Sequence, residues 1–247
     1  MRRRFFVESF SGNVAVIEGD AAHHLGHVLR AQSGQLYELS DGSSAWLARI
    51  ESVDRHRIEF TLLEKLPAPR PSPEITLLLS IVKFDAFEWA IEKATELGVA
   101  RIVPLAAARS EKGLLAGAAK RSERWQKILM EASQQSRRLR VPQLGELTKP
   151  AQAFATPTAA LRLMLSERAD APSLRTLLQS ANAKLSPDAS PTAATLAIGP
   201  EGGWTDDELA SARSAGFQEA SLGALILRTE TAVISAISVL NFALNED

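Results

Sequence analysis

Short apolar runs separated by turn-forming residues make up the first 66 residues of the chain. The runs are rich in β-branched and aromatic side chains, and Gly, Asn, Asp and Ser lie between them. The stretch from Asp20 to Arg30 differs, because apolar residues recur there at helical spacing behind Asp20, a predicted N-cap. We therefore predict a small β-barrel with one short helix. Its predicted strands are Phe5 to Val7, Val14 to Ile17, Leu36 to Ser40, Trp46 to Ile50 and Ile58 to Leu63.

A proline-rich segment separates this region from a longer one with a different pattern. Residues 66–73 contain four prolines, which disfavour both helix and sheet and produce a stiff connector. We expect one domain over residues 1–70 and a second over residues 71–247. In the second, continuously apolar runs alternate with amphipathic segments, which predicts an α/β fold with a parallel, helix-covered sheet.

The elements expected in residues 71–247 follow from this alternation. Asp85 and Glu88 are predicted to cap a helix that ends at Gly98, and one long helix is predicted over about residues 117–136. Residues 186–191 are expected to form a polar loop. The predicted strands are Ile75 to Val82, Arg101 to Leu105, Leu161 to Leu165 and Thr195 to Ile198, and the last helix is Ala232 to Leu244.

The segment after the strand Thr195 to Ile198 carries the most chemical information. It reads Gly199-Pro200-Glu201-Gly202-Gly203, and Thr205 with Glu208 predicts a capping box for a helix that stops at Gly216. Glycines between a buried strand and a helix let a ligand approach the backbone at the carboxyl edge of the sheet. A plain tight turn would have the same composition, so the pattern by itself leaves both interpretations open.

Composition narrows the chemistry available to the second domain. The chain has no cysteine, and its four histidines all lie within the first 56 residues. Triads and metal sites built on His or Cys are therefore excluded from the second domain. His23, His24 and His27 are expected to be surface or cap residues, and we predict no metal. No apolar run approaches the roughly 18 residues of a membrane span, and no signal-type segment follows Met1, so we expect a cytoplasmic protein.

The net charge of -1 hides an uneven distribution of charge along the chain. Residues 71–150 carry 13 basic and 9 acidic side chains, whereas residues 151–247 carry 6 basic and 11 acidic ones. A basic patch suits a polyanion such as RNA, although a solvated helix face would have the same composition. The candidates for RNA binding, chiefly through phosphate contacts, are Arg2, Arg3, Arg4, Arg30, Arg109, Arg137, Arg138 and Arg140.

Several motifs together resemble one known family. Gly199 to Gly203 is followed by Leu222-Gly223 and then by Leu227-Arg228-Thr229-Glu230-Thr231-Ala232, while His23-His24-Leu25 and Val28-Leu29-Arg30 lie near the start. In these motifs the sequence is similar to the RsmE-type 16S rRNA methyltransferases of the SPOUT superfamily. The resemblance covers nearly the whole chain. It implies an N-terminal PUA-like RNA-binding β-barrel followed by an α/β domain with a deep trefoil knot.

The resemblance also implies an activity. Such proteins are homodimers that bind S-adenosylmethionine in the knot and methylate N3 of a uridine near the decoding centre. The expected partner is 16S rRNA in the small ribosomal subunit or in its late assembly intermediate. Arg228 is the candidate for stabilising the uridine anion, and Glu230 or Glu201 is the candidate base or orienting partner. The candidate cofactor-binding residues are Leu165, Ser166, Ile198, Gly199, Pro200, Glu201, Gly203, Leu222, Gly223, Leu227, Arg228 and Thr231.

Other interpretations of these residues remain open. Arg228 and Glu230 could simply cap the last helix. The chain could also be a SPOUT methyltransferase for another RNA, a non-catalytic RNA-binding protein of ribosome assembly, or a nucleotide-dependent α/β enzyme. The last would lack both a P-loop and a G-x-G-x-x-G motif. Ala224-Leu225 stands where the family usually has Pro-Arg, and cofactor binding without methyl transfer would favour the non-catalytic protein.

Overall fold

The computed structural model describes residues 3–68, 72–182 and 193–244, so Arg2 and the predicted polar loop at residues 186–191 lie outside the described residues. The chain divides into two compact units. One comprises Met1–Arg70 with Met130–Val141, and the other comprises Pro71–Leu129 with Pro142–Asp247. Local sequence pattern gives no reason to expect residues 130–141 in the first unit, because their contacts there are made with residues about a hundred positions earlier.

Five strands form the sheet of the first unit, in the order β1-β3-β4-β5-β2. β1 pairs parallel with β3, and the other neighbours are antiparallel. The five predicted strands are confirmed, with small shifts at their ends. Their bounds are β1 Arg4–Phe6, β2 Val14–Glu18, β3 Leu36–Ser40, β4 Ala45–Val53 and β5 Arg57–Lys65.

The predicted small β-barrel takes the form of a curled half-barrel. Within residues 3–68, β1 and β2 are the two edges of the sheet, which is a curled half-barrel. Shifts in the β4–β5 register at Leu47/Ala48 and Ile50/Ser52 increase the local twist. Ala22 and Leu25 of the helical segment are fully buried in the same core as the strands, so a helix covers this core.

The helical segment differs in detail from its prediction. Helix α1 spans Gly19–His23 and continues as a π-helical turn over His24–Val28. Asp20 is not the N-cap, because Gly19, at φ 65°, lets the chain turn into the helix one residue earlier. His23 and His27 stack with ring centroids 4.9 Å apart. Across the described ranges no group of three or more His, Asp or Glu side chains could hold a metal ion.

A six-stranded parallel sheet forms the centre of the second unit, in the order β11-β9-β10-β6-β7-β8. The prediction of an α/β fold with a parallel sheet is confirmed. All five residues of β10 are buried, as its continuous apolar run predicts. The strands are β6 Ile75–Ser80, β7 Arg101–Leu105, β8 Gln143–Leu144, β9 Leu161–Leu165, β10 Ala194–Ile198 and β11 Gln218–Ala220.

Seven further helices are described beyond α1. None of the described helices is long and apolar enough to cross a membrane. The helices are α2 Phe84–Glu96, α3 Lys112–Ala118, α4 Ser122–Gln135, α5 Pro150–Ala155, α6 Leu174–Asn182, α7 Asp206–Ser214 and α8 Thr229–Leu244.

Two helix predictions in this unit are wrong. Glu88 does not cap α2, and the long helix predicted over residues 117–136 is broken by a 3-10 turn at Ala119–Arg121. Glu88 is 8% exposed and instead accepts hydrogen bonds from Arg121 and Arg124, at 2.8 Å each. A buried carboxylate needs such partners, and Arg121 at the end of the 3-10 turn and Arg124 in α4 supply them.

Candidate active site

The candidate cofactor residues lie in three segments that leave the parallel sheet at one edge. β11, β9 and β10 are neighbours, so the chain that follows each of them emerges at the same carboxyl edge. The segments begin at Ser166, Gly199 and Ser221. The fold thus brings together residues that are far apart in the sequence.

Two hydrogen bonds link these segments. The indole N–H of Trp204 donates to the carbonyl of Leu165 at 2.9 Å, joining the segment after β10 to the end of β9. The hydroxyl of Thr229 donates to the carbonyl of Gly199 at 3.5 Å, which joins the start of α8 to the same segment. Thr229 is 6% exposed, so its hydroxyl has little access to water.

Close packing explains the glycines that follow β10. Gly203 has φ 68°, a conformation that a side chain would strain. A Cβ on Gly199 would lie 3.1 Å from the indole of Trp204, and a Cβ on Gly202 would lie 3.2 Å from the Cβ of Arg109. We call residues 199–203 the glycine loop. Its glycines are required by neighbouring side chains of the same chain, whether or not a ligand is bound.

The segment before α8 leaves most of its backbone unpaired. Within residues 222–227, hydrogen bonds to other described residues involve only Gly223, whose N–H and C=O both contact the Ser221 hydroxyl. The N–H groups of Leu222 and Leu227 donate to no described residue. Unpaired backbone groups beside a glycine loop suit a ligand that is recognised by hydrogen bonds to the main chain.

The three candidate catalytic side chains lie in or next to these segments. Glu201 is exposed in the glycine loop, Arg228 is exposed immediately before α8, and Glu230 is half-buried in the first turn of α8. No hydrogen bond or ion pair engages any of these three side chains in the described part of the chain. The alternative that Arg228 and Glu230 cap the last helix is therefore not supported, because neither side chain makes a capping hydrogen bond in the described residues. Thr231, the other candidate on α8, is also exposed.

Arg109, a candidate for RNA binding, contacts the glycine loop. Its Nη1 donates to the carbonyl of Gly202 at 2.7 Å. The neighbouring Ala108 N–H donates to Oε1 of Glu208 at 2.8 Å. Oε2 of Glu208 accepts from the N–H of Thr205 at 2.9 Å, so the predicted capping box is confirmed. Glu208 thereby ties the segment after β7 to the start of α7.

Glu208→Ala is expected to destabilise the protein by about 1–2 kcal/mol, because the change removes the capping-box carboxylate together with its bond to the Ala108 N–H. Equilibrium unfolding in urea measures this loss. Asp207→Ala is the matched control, since Asp207 is an exposed carboxylate in the same helical turn. Equal losses in the two variants would contradict a bridging role for Glu208.

Two RNA-binding candidates of the first unit converge on one buried carboxylate. Glu38 is 8% exposed, accepts a hydrogen bond from Arg4 Nη2 at 2.9 Å and lies 3.4 Å from Arg137 Nη1. Arg4 Nη1 also donates to the carbonyl of Arg137 at 2.7 Å, and Arg137 has φ 56°. Arg4 therefore helps to hold residues 130–141 in this unit, a role that composition does not reveal.

Further contacts fix the same basic turn. The Ser40 hydroxyl donates to the carbonyl of Leu139 at 2.8 Å, and the Arg140 guanidinium donates to the carbonyl of Gly42. Burial lowers the pKa of the Arg138 guanidinium to about 10, so this side chain remains charged at neutral pH. Its Nε donates to the carbonyl of Arg140 at 3.1 Å.

The remaining RNA candidates of this unit are more accessible. Arg3 and Arg30 are exposed, and Arg30 has φ 52°, which is uncommon for a residue other than glycine. Sequence reasoning missed Glu38, Trp204 and Thr229. The position of Trp204 directly after the glycine loop was the one available signal, because a buried indole usually needs a hydrogen-bond acceptor.

Comparison with known families agrees with this architecture. An RNA methyltransferase PUA domain matches residues 17–63, and an RNA methyltransferase domain matches residues 69–241. The first match covers most of the curled sheet, and the second covers the parallel sheet with its three carboxyl-edge segments. The fold and the site thus define an RNA methyltransferase with an N-terminal PUA domain.

Individual relatives of this chain identify its family more closely than the two domain matches do. Ribosomal RNA small subunit methyltransferase E of Synechocystis sp. is 34% identical over 225 residues, which is 89% of this chain and 70% of the relative. The protein of the same name from Aquifex aeolicus is 30% identical over 96% of this chain and 97% of the relative. The crystal structure of a ribosomal RNA small subunit methyltransferase E from Neisseria gonorrhoeae, bound to S-adenosyl methionine, matches with a TM-score of 0.84 and 31% identity over 98% of each chain. The chain belongs to the ribosomal RNA small subunit methyltransferase E family, as its motifs predict.

Proposed function

We propose that this protein is an S-adenosylmethionine-dependent methyltransferase that methylates N3 of a uridine in 16S rRNA of the small ribosomal subunit. The observation that carries the proposal is the convergence of the glycine loop and the unpaired backbone of residues 222–227 at one edge of the sheet. The family of the chain supports both the reaction type and the RNA. The solved relative from Neisseria gonorrhoeae supports the cofactor.

The residues at this edge fit the cofactor through main-chain groups. The N–H groups of Leu222 and Leu227 are unpaired in the described residues and would hold its polar atoms, while the glycine loop would accept its close approach. Bound there, S-adenosylmethionine supplies an electrophilic methyl group carried on a sulfonium. The other residues that would line the cofactor are Leu165, Ser166, Ile198, Gly199, Pro200, Glu201, Gly203, Gly223, Arg228 and Thr231.

The side chains near this edge would handle the uridine. Its N3 proton must leave before or during attack, so a base or a stabilised anion is required. Arg228, exposed and unpaired in the described residues, would stabilise the anion, and Glu230 or Glu201 would accept the proton or orient the base. Correct alignment of the nucleophile supplies much of the remaining rate enhancement.

A deep trefoil knot in the second unit belongs to this proposal. The resemblance of the motifs to the SPOUT superfamily supports it. The strand order is compatible with it, since the chain that leaves β10 crosses β9 to reach β11. We also infer that the curled sheet of the first unit is the PUA-like RNA-binding part.

The experiment that tests this function offers labelled S-adenosylmethionine together with small subunits, large subunits or tRNA. Transfer to small subunits is expected. Transfer to tRNA or large subunits alone would favour a SPOUT methyltransferase for another RNA. Cofactor binding with no transfer to any of them would favour a non-catalytic RNA-binding protein.

We propose that RNA affinity comes chiefly from phosphate contacts by exposed arginines of the first unit. Arg3 and Arg30 are the sharpest test, because Arg137 and Arg140 also make structural contacts. The double variant Arg3→Ala/Arg30→Ala is expected to bind a 16S rRNA fragment more weakly. Its slope of log K against log salt should be smaller by roughly 2.

Fluorescence anisotropy at several salt concentrations measures this slope. The double variant Arg55→Ala/Lys65→Ala removes the same charge from exposed positions of the same unit and serves as the control. An unchanged slope in the Arg3/Arg30 variant would refute the assignment of these two arginines.

We propose a homodimer in which α8 and the segment before it contact a second copy. Leu225, Ile226 and Phe242 are 81%, 78% and 91% exposed, and apolar exposure of this extent is typical of an interface. Light scattering during gel filtration is expected to give twice the 26.7 kDa mass of the chain, and Phe242→Glu should give one chain mass. A single-chain mass for the unmodified protein would contradict the proposal.

A further inference from the structure

Trp204 is held in one orientation next to the glycine loop. The residue is 8% exposed, and its ring lies so close to Gly199 that a Cβ there would be 3.1 to 3.3 Å from three ring atoms. On another side, the ring meets Phe154 edge-on, with centroids 5.9 Å apart. These contacts leave the indole little freedom to rotate.

The indole N–H adds a hydrogen bond between β9 and the segment after β10, just beyond the last paired residues of these two strands. The ladder between β9 and β10 ends with Met164 opposite Ala197. The next carbonyl of β9, that of Leu165, accepts its hydrogen bond from Trp204 at 2.9 Å. A side chain from the segment after β10 thus holds the end of β9 on the side where its pairing with β10 has stopped, while the other side is still paired with β11.

The other buried tryptophan of this unit shows that burial alone does not produce such a bond. Trp125 is 2% exposed, and its Nε1 has no hydrogen-bond partner in the described residues. Trp204 instead uses its N–H on Leu165, one of the residues that would line the cofactor. Trp125 is therefore a suitable control for Trp204, because both indoles are buried and only that of Trp204 donates a hydrogen bond.

We propose that Trp204 is a positioning residue for S-adenosylmethionine, because its N–H fixes the Leu165 carbonyl and holds the end of β9 at a set distance from the glycine loop. Trp204 acts through Leu165 and Gly199. The inference rests on the proposed cofactor binding. Without the bond, the two segments must be ordered when the cofactor binds, which weakens binding. Once the cofactor is bound, the reaction rate should be little changed.

The test compares Trp204→Phe with Trp125→Phe, because each variant loses a buried indole N–H and similar ring volume. Only the first loses a hydrogen bond. Titration calorimetry with S-adenosylmethionine is expected to show a Kd raised roughly fivefold to tenfold in Trp204→Phe and less than about twofold in Trp125→Phe. The kcat at saturating cofactor should stay within about twofold of the unmodified enzyme. The thermal midpoints of both variants report the loss of packing.

Equal changes of Kd in the two variants would overturn the inference, because packing alone would then explain them. A lower kcat with unchanged Kd would overturn it as well. If the unmodified protein binds no S-adenosylmethionine, the proposed function itself fails. If the unmodified protein and Trp204→Phe bind S-adenosylmethionine equally well, the proposed function stands and only the role of Trp204 is refuted.

A second measurement needs no substitution at Trp204 and so does not depend on the folding of that variant. In protein labelled with ¹⁵N-tryptophan, cofactor should shift the indole resonance of Trp204 strongly and those of Trp46 and Trp89 little. Single Trp→Phe changes at positions 46, 89 and 125 assign the resonances. A Trp204 resonance that stays in place at saturating cofactor would overturn the inference.

Discussion

Arg228→Ala is expected to lower the rate of methyl transfer about 100-fold or more at saturating S-adenosylmethionine and RNA. The guanidinium is exposed immediately before α8 and is unpaired in the described residues, so its charge is available to a developing uridine anion. Cofactor affinity should change much less, because main-chain groups would supply most of the cofactor contacts. Single-turnover transfer of a labelled methyl group measures the rate, and calorimetry measures the affinity.

Two further variants sharpen this result. Arg228→Lys keeps the charge but not the planar fork of donors, so an intermediate rate is expected. Arg175→Ala removes an exposed arginine of α6 and should leave the rate unchanged. If Arg228→Ala kept nearly full activity, Arg228 would have no catalytic role, and the anion would have to be stabilised by another group.

Glu38→Gln is expected to lower the free energy of unfolding by about 3 kcal/mol. The change removes the negative charge that faces Arg4 and Arg137, and the side chains of Glu38 and Arg4 are only 10% and 12% exposed. A partly buried guanidinium without its counter-charge is costly. Chemical denaturation followed by circular dichroism measures the loss.

Glu59→Gln is the control for this variant. Glu59 pairs with Arg57 at 3.0 Å, but both side chains are more than 40% exposed, so a loss below about 1 kcal/mol is expected. Equal losses in the two variants would mean that Glu38 is no more important than a surface ion pair. The attachment of residues 130–141 to the first unit would then depend on other contacts.

Local pattern and short motifs could predict much of this fold. The alternation of apolar and turn residues located the strands of the first unit, and continuous apolar runs located β9 and β10 to within a residue. The capping box at Thr205 and Glu208 was correct because both partners lie within one turn of helix. The family motifs also lie in two of the three segments that meet at the carboxyl edge, the glycine loop and the segment before α8.

Contacts between distant residues could not be predicted in this way. Arg4 reads as part of a basic cluster, and only the folded chain places it against Glu38 and the carbonyl of Arg137, 133 positions away. The sequence predicts Glu88 to be a helix cap, whereas in the folded chain it forms ion pairs with Arg121 and Arg124. The sequence therefore shows where charged residues cluster, but it does not show which of them form ion pairs in the folded chain.

The most direct test of the central claim identifies the methylated nucleoside. Small subunits that lack this modification are incubated with the protein and labelled S-adenosylmethionine, and their 16S rRNA is digested and analysed by mass spectrometry. We expect N3-methyluridine at a single position, and labelling about 100-fold slower with Arg228→Ala. A different methylated nucleoside, or no transfer despite measurable cofactor binding, would contradict it.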